Sequence, residues 1–216
     1  MIDSEVVAFN EWVIRVRPSA VDHPRLLVLI HGWTGDENSM WVFTGGFPAT
    51  SWIMAPRAPH SSGQGGYSWR PPDPETFGRP SVETLKPAAL RLMQLIDQYS
   101  SSIGLNAAAV DLVGFSQGAA MVNLLGMLYP QRVRKMGVLA GFVPSGHEEL
   151  LEQRPLAGKK IFVAHGTQDK LVPLERARAS IEILEIAGAQ VSYCEDQVGN
   201  KVSANCLRAL ESYLAD

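Results

Sequence analysis

Residues 114–118 read Gly-Phe-Ser-Gln-Gly, a G-x-S-x-G pentad entered from the mostly apolar run Val110–Val113 and left through a helix-forming stretch. A serine on a sharp strand-to-helix turn presents its hydroxyl at the end of a sheet, and the flanking glycines let neighbouring backbone pack closely around it. The chemistry of such a hydroxyl is acyl transfer. Oγ of Ser116 attacks a carbonyl carbon, and nearby N–H groups hold the charge that develops on the carbonyl oxygen. One donor is the N–H of Gln117, directly after the serine.

Two further turns follow apolar runs. After Leu26–Ile30 comes His31-Gly32-Trp33-Thr34-Gly35-Asp36, a glycine-containing turn able to aim a second backbone N–H at the same oxygen. After Ile161–Ala164 comes His165-Gly166-Thr167-Gln168-Asp169, which puts Asp169 at the C-terminal edge of a strand, where open α/β sheets carry their sites. Asp169 could instead cap the helix that follows. His31 and His165 each precede a glycine at a strand end without helical ligand spacing, so they read as hydrogen-bonded structural histidines, not a metal pair. His147-Glu148-Glu149 is not H-E-x-x-H, because position 151 is leucine. No metal and no cofactor is expected.

The elements that must position these turns alternate. Strand-like runs fall at Trp12–Val16, Leu26–Ile30, Trp52–Met54, Val110–Val113, Met136–Ala140, Ile161–Ala164 and Val191–Cys194. Several are continuously apolar, as strands covered on both faces are. Between them, Leu85, Ala88, Ala89, Leu92, Leu95, Ile96 and Tyr99 recur at helical spacing, with Pro87 setting the expected start of the regular helix. Further helices are expected over Gln117–Tyr129, through Leu174–Leu184 and from Ser203 onward. The fold class is α/β, a mostly parallel central sheet with helices on both faces, in one domain spanning residues 1–216. The Gly-, Ser- and Pro-rich segment His60–Pro80, with Tyr67 and Trp69 embedded, reads as a connection or one wall of a site.

With these motifs in order, the chain resembles the phospholipase/carboxylesterase family of α/β-hydrolases, which includes the acyl-protein thioesterases. The resemblance rests on His31–Asp36, Gly114–Gly118, His165–Asp169 and the loop around Ser68-Trp69, and covers roughly residues 24–215. It implies an α/β-hydrolase fold and hydrolysis of carboxylic esters through an acyl-serine. It also implies Ser116 as nucleophile, Asp169 as the orienting acid, and Trp33 and Gln117 as the oxyanion N–H donors. Trp69 is implied as part of the substrate pocket wall. Longer acyl chains, as in thioesterases and lysophospholipases, would use the same residues.

The departure comes in the last motif. The family carries a Gly-His pair after the final strand, and here that place reads Val198-Gly199-Asn200-Lys201-Val202-Ser203, with no histidine beyond His165. A carboxamide donates and accepts hydrogen bonds but takes no proton from serine at neutral pH. Losing the histidine of a comparable triad costs on the order of 10⁶ in turnover. Three accounts of Asn200 follow: a substitution introduced to halt turnover, a natural non-hydrolytic descendant that binds a ligand, or recruitment of another base, with His60 and His147 as the loop candidates. The expectation is an impaired His-to-Asn form that keeps substrate binding.

Composition narrows the partners. A net charge of −3 with no basic tract argues against nucleic acid or an anionic membrane as an obligatory partner. The N-terminus has no secretory pattern, and the longest apolar runs are too short to span a bilayer. Cys194 and Cys206 are expected as two buried free thiols, which fits a reducing, cytoplasmic setting. The expected partner is a small-molecule ester.

Overall fold

The computed structural model describes residues 4–75 and 78–216. Among the described residues ten strands lie in chain order: β1 (Glu5–Phe9), β2 (Trp12–Arg17), β3 (Arg25–Ile30), β4 (Ser51–Pro56), β5 (His60–Ser61), β6 (Tyr67–Ser68), β7 (Val110–Phe115), β8 (Val133–Leu139), β9 (Lys160–Gly166) and β10 (Gln190–Asp196). Five α-helices accompany them: α1 (Val82–Ser102), α2 (Gln117–Leu128), α3 (Glu148–Leu151), α4 (Leu174–Ile186) and α5 (Ala204–Ala215).

Eight strands form one sheet in the order β1-β2-β4-β3-β7-β8-β9-β10. Strands β1 and β2 are antiparallel to their neighbours, and the other six run parallel. All seven strands expected from the sequence are present, and the eighth is β1. It lies at the sheet edge, where Val6 and Ala8 are exposed although Val6–Phe9 is an apolar run. The short pair β5 and β6 forms a hairpin inside the segment expected as a loop.

Side-chain alternation along the central strands builds two cores. From β3, Leu26, Val28 and Ile30 join a layer with α1, α2 and Leu184 of α4. Leu27 and Leu29 face the other way, toward Cys206, Leu210 and Leu214 of α5 and Met40 of a 3-10 helix over Ser39–Gly46. All five β3 side chains are at most 1% exposed. Each such side chain contributes about 1.5–3 kcal/mol of burial free energy, which explains why β3 holds the middle of the sheet.

Helix α1 starts before Pro87. Ser81 caps it, its Oγ accepting from Thr84 N at 3.2 Å while Ser81 N donates to Thr84 Oγ1 at 3.0 Å. Pro87 removes one backbone hydrogen bond, yet the cap and the buried Leu85, Ala88, Ala89 and Leu92 stripe carry the helix through it.

The expectation of free thiols is overturned. Cys194 and Cys206 form a disulfide, with Cα atoms 5.6 Å apart. The chain turns back after β10, so the end of that strand and the first turn of α5 meet within bridging distance. Among the described residues, no helix is long and apolar enough to cross a membrane.

Candidate active site

In the sheet, β3 lies between β4 on one side and β7 on the other. Strand order therefore reverses beside β3, and the crevice beyond the C-terminal ends of β3 and β7 is where open α/β sheets bind ligands. The His31–Asp36 turn leaves β3 there, and Ser116 follows β7.

Ser116 has φ 53° and ψ −113°, a positive-φ conformation that costs a β-carbon-bearing residue free energy and is held by its surroundings. Its N–H donates to Leu139 O at 2.9 Å, and its carbonyl accepts from Ala119 N and Ala120 N. The glycines of the pentad permit the turn. A β-carbon on Gly118 would lie 2.0 Å from Ile30 O, and one on Gly114 would lie 2.2 Å from Gly118 O. The β3 turn sits alongside, since a β-carbon on Gly32 would come 3.4 Å from Ser116 Cβ.

Gln117 opens α2, and a first-turn N–H has no intrahelical acceptor. The helix dipole adds positive potential at that end. The Gln117 side chain reaches the hairpin instead, where Oε1 accepts from Trp69 N at 2.9 Å and Nε2 donates to Ser68 Oγ at 3.2 Å. The β5–β6 hairpin is thereby tied to the start of α2. It is also tied to the β3 turn, through Thr34 N to Tyr67 O at 3.0 Å and Tyr67 N to Gly35 O at 2.9 Å. Arg57 braces the same hairpin, pairing both ways with buried Glu37 at 2.7 and 2.8 Å and donating to Tyr67 Oη at 3.1 Å. Those hydrogen bonds from Arg57 hold the Glu37 carboxyl below the usual carboxylate range.

Asp169 is buried just past the end of β9. Oδ1 accepts from Leu171 N at 2.8 Å and Val172 N at 3.0 Å, so the residue anchors the following turn. Oδ2 accepts from Asn200 Nδ2 at 2.7 Å. The segment bearing Asn200 is pressed onto β9: Gln168 N donates to Val198 O, and a β-carbon on Gly166 would lie 2.3 Å from both Val198 O and Gly199 O. Asp169 and Asn200 are thus brought together from positions 31 residues apart.

The histidines make other contacts. His31 is buried, its Nε2 accepting from Ala58 N at 3.0 Å and its Nδ1 lying 2.7 Å from Gly32 O, so Nδ1 carries the proton. Burial pushes its pKa down. His165 Nε2 faces Val172 O at 2.9 Å and lies 3.7 Å from Asp169 Oδ2. His147 Nδ1 lies 2.9 Å from Pro144 O. Neither His60 nor His147 is among the described residues lining the cavity beside Ser116. Among the described residues, no group of three or more His, Cys, Asp or Glu is placed to hold a metal ion.

That cavity has a volume of about 550 Å³ and is lined by Trp33, Ser116, Gln117, Phe142, Leu171 and Val172, with Ser68, Arg70 and the prolines 71, 72, 74 and 80. Trp69 does not line it among the described residues, contrary to the pocket role the resemblance implied. The indole is fully buried and donates from Nε1 to His31 O at 2.8 Å. The chain bends after β6, which turns Trp69 into the core while Ser68 and Arg70 on either side reach the cavity. An aromatic residue at 69 is conspicuous in sequence, whereas the neighbouring arginine belongs to no motif that would flag it.

The family profile for phospholipases and carboxylesterases matches residues 13–215. The chain belongs to that family. Within it, the chain is 30% identical over 173 residues to carboxylesterase SOBER1 of Arabidopsis thaliana, covering 76% of this chain and 75% of that protein. It is 26% identical over 181 residues to acyl-protein thioesterase 1 of Kluyveromyces lactis, covering 75% and 77%. Among solved structures, esterase PE8 superposes with a TM-score of 0.79 at 25% identity, covering 93% of this chain and 96% of that one. A carboxylesterase from Mesorhizobium loti shares the fold with a TM-score of 0.83 at 19% identity, over 98% of both chains. The α/β-hydrolase fold of the family is the fold described above.

Proposed function

We propose that this chain binds carboxylic esters at Ser116 and is a serine carboxylesterase whose hydrolytic cycle is stalled at position 200. Ser116 Oγ is the nucleophile toward the acyl carbon. The N–H groups of Trp33 and Gln117 receive the carbonyl oxygen as it becomes negative, and Asp169 orients the group that should take the serine proton. Asn200 occupies that group's place. The observation that carries the reading is the 2.7 Å hydrogen bond from Asn200 Nδ2 to Asp169 Oδ2, the contact an imidazole N–H would make.

A carboxamide in that place satisfies the carboxylate but leaves the proton on Oγ, because its oxygen is far too weakly basic to accept it. Attack then requires the neutral alcohol, and the rate keeps only what the oxyanion donors and binding supply, about 10³-fold over water. The plant carboxylesterase and the yeast thioesterase support an ester or thioester as substrate. A small-molecule ester is the proposed partner. Long acyl chains are the second reading, favoured by the apolar proline, Phe142, Leu171 and Val172 lining of the cavity. The disulfide removes the ground for expecting a reducing, cytoplasmic setting.

Replacing Asn200→His tests this directly. Hydrolysis of p-nitrophenyl acetate should rise by about 10³ or more, and Ser116→Ala in that background should abolish the gain. A folded Asn200→His protein no faster than the parent would sink the proposal.

A further inference from the structure

Arg70 places a cation at the cavity that holds Ser116. Its side chain is 7% exposed. Among the described lining residues the only other charged one is Asp73, and the remainder are aromatic, aliphatic, proline, glycine or neutral polar. Arg70 Nη1 and Asp73 Oδ2 lie 3.9 Å apart, an ion-pair separation longer than a hydrogen bond, and the Asp73 side chain is 42% exposed.

Charges of both signs therefore face one space, and burial decides which a ligand feels. Water reaches Asp73 and screens it, whereas the field of Arg70 acts through protein and an apolar cavity wall. At equal distance a unit charge attracts its opposite about four times more strongly at an effective dielectric of 20 than in bulk water. A guanidinium also offers coplanar N–H donors that match the two oxygens of a carboxylate.

We infer that this cavity selects esters bearing a free carboxylate, such as monoesters of dicarboxylic acids, with the carboxylate docked on Arg70 and the ester carbonyl at Ser116. The inference rests on the ester site proposed above and adds its substrate class. Arg70 is the specificity-determining residue.

Calorimetric titration of the intact protein at pH 7 with monoethyl and diethyl esters of succinate, glutarate and adipate tests it. For at least one chain length the monoanion should bind about tenfold or more tighter than its diester. Arg70→Gln should bring that ratio to about one, Arg70→Lys should keep part of it, and Asp73→Asn should increase it. Should Arg70→Gln fail to fold, Asp73→Asn and a rise from about 50 to about 300 mM salt carry the test, since the monoanion alone should weaken with salt. Diesters binding as well as monoanions at every length would overturn the inference and leave the ester site standing. Binding of neither kind would overturn the ester site itself.

Discussion

Asp169 divides its two oxygens between neighbours: Oδ2 receives the Asn200 carboxamide at 2.7 Å, while Oδ1 holds the Leu171 and Val172 N–H groups at 2.8 and 3.0 Å. One carboxylate thus sets both the position-200 side chain and two walls of the cavity. In an Asn200→His background, adding Asp169→Asn should lower kcat by about 10⁴, because the imidazolium formed during attack loses its counter-charge. Steady-state kinetics on a p-nitrophenyl ester would show it. An undiminished kcat would mean that Asp169 acts only on the turn.

Gly118 has no room for a side chain, its hypothetical β-carbon meeting Ile30 O at 2.0 Å and His31 O at 2.6 Å. Both contacts are backbone, so relief requires moving β3 or α2. Gly118→Ala should destabilise the fold by roughly 1–3 kcal/mol in urea unfolding, through overpacking. Ester affinity should fall with it, since the turn after β3 and the turn bearing Ser116 share that contact.

Acid should weaken the fold in two steps. His31 is buried neutral with its pKa held down by burial, so the unfolded chain binds the proton first. Stability falls as pH drops below about 6.5, by up to about 1.4 kcal/mol per pH unit, until the folded pKa is reached. Glu37 carries a lowered pKa through Arg57, and its contribution, present above the unfolded value of about 4.3, fades as pH falls through the folded one. Urea midpoints measured from about pH 7 to about pH 3 should show both, and Glu37→Gln should shrink the lower step while leaving the upper one.

The Cys194–Cys206 bridge closes a short loop around Asn200, between β10 and α5. Replacing both cysteines by serine should cost about 3 kcal/mol, by the loop-closure relation. Thermal melts of the parent with and without reductant, set beside the double variant, measure it. Coincident curves would mean that the thiols are unpaired in solution.

Much of the site is legible in local pattern. The pentad around Ser116, the turn after Leu26–Ile30 and the turn ending in Asp169 each follow a strand apolar enough to be unmistakable. Asn200 is marked by its place after the last strand, and its contact with Asp169 is the long-range fact that only the fold supplies. What stays hidden depends on direction and not on type. Trp69 and Arg70 are adjacent, yet the bend after β6 sends one into the core and the other to the cavity. Cys194 and Cys206 carry no spacing signal for a bridge, because a strand, a loop and a helix turn must be placed first. Strand β1 carries the short apolar run Val6–Phe9, but its place at the sheet edge beside β2 is set by long-range pairing.

Lys201 is exposed one residue past Asn200, inside the ring that the two cysteines close. A tryptic cut after it would leave residues 202–216 fastened to the rest of the molecule. On a gel without reductant the nicked protein would migrate as a single species, and only on adding thiol would the tail, running from Val202 to Asp216, come away.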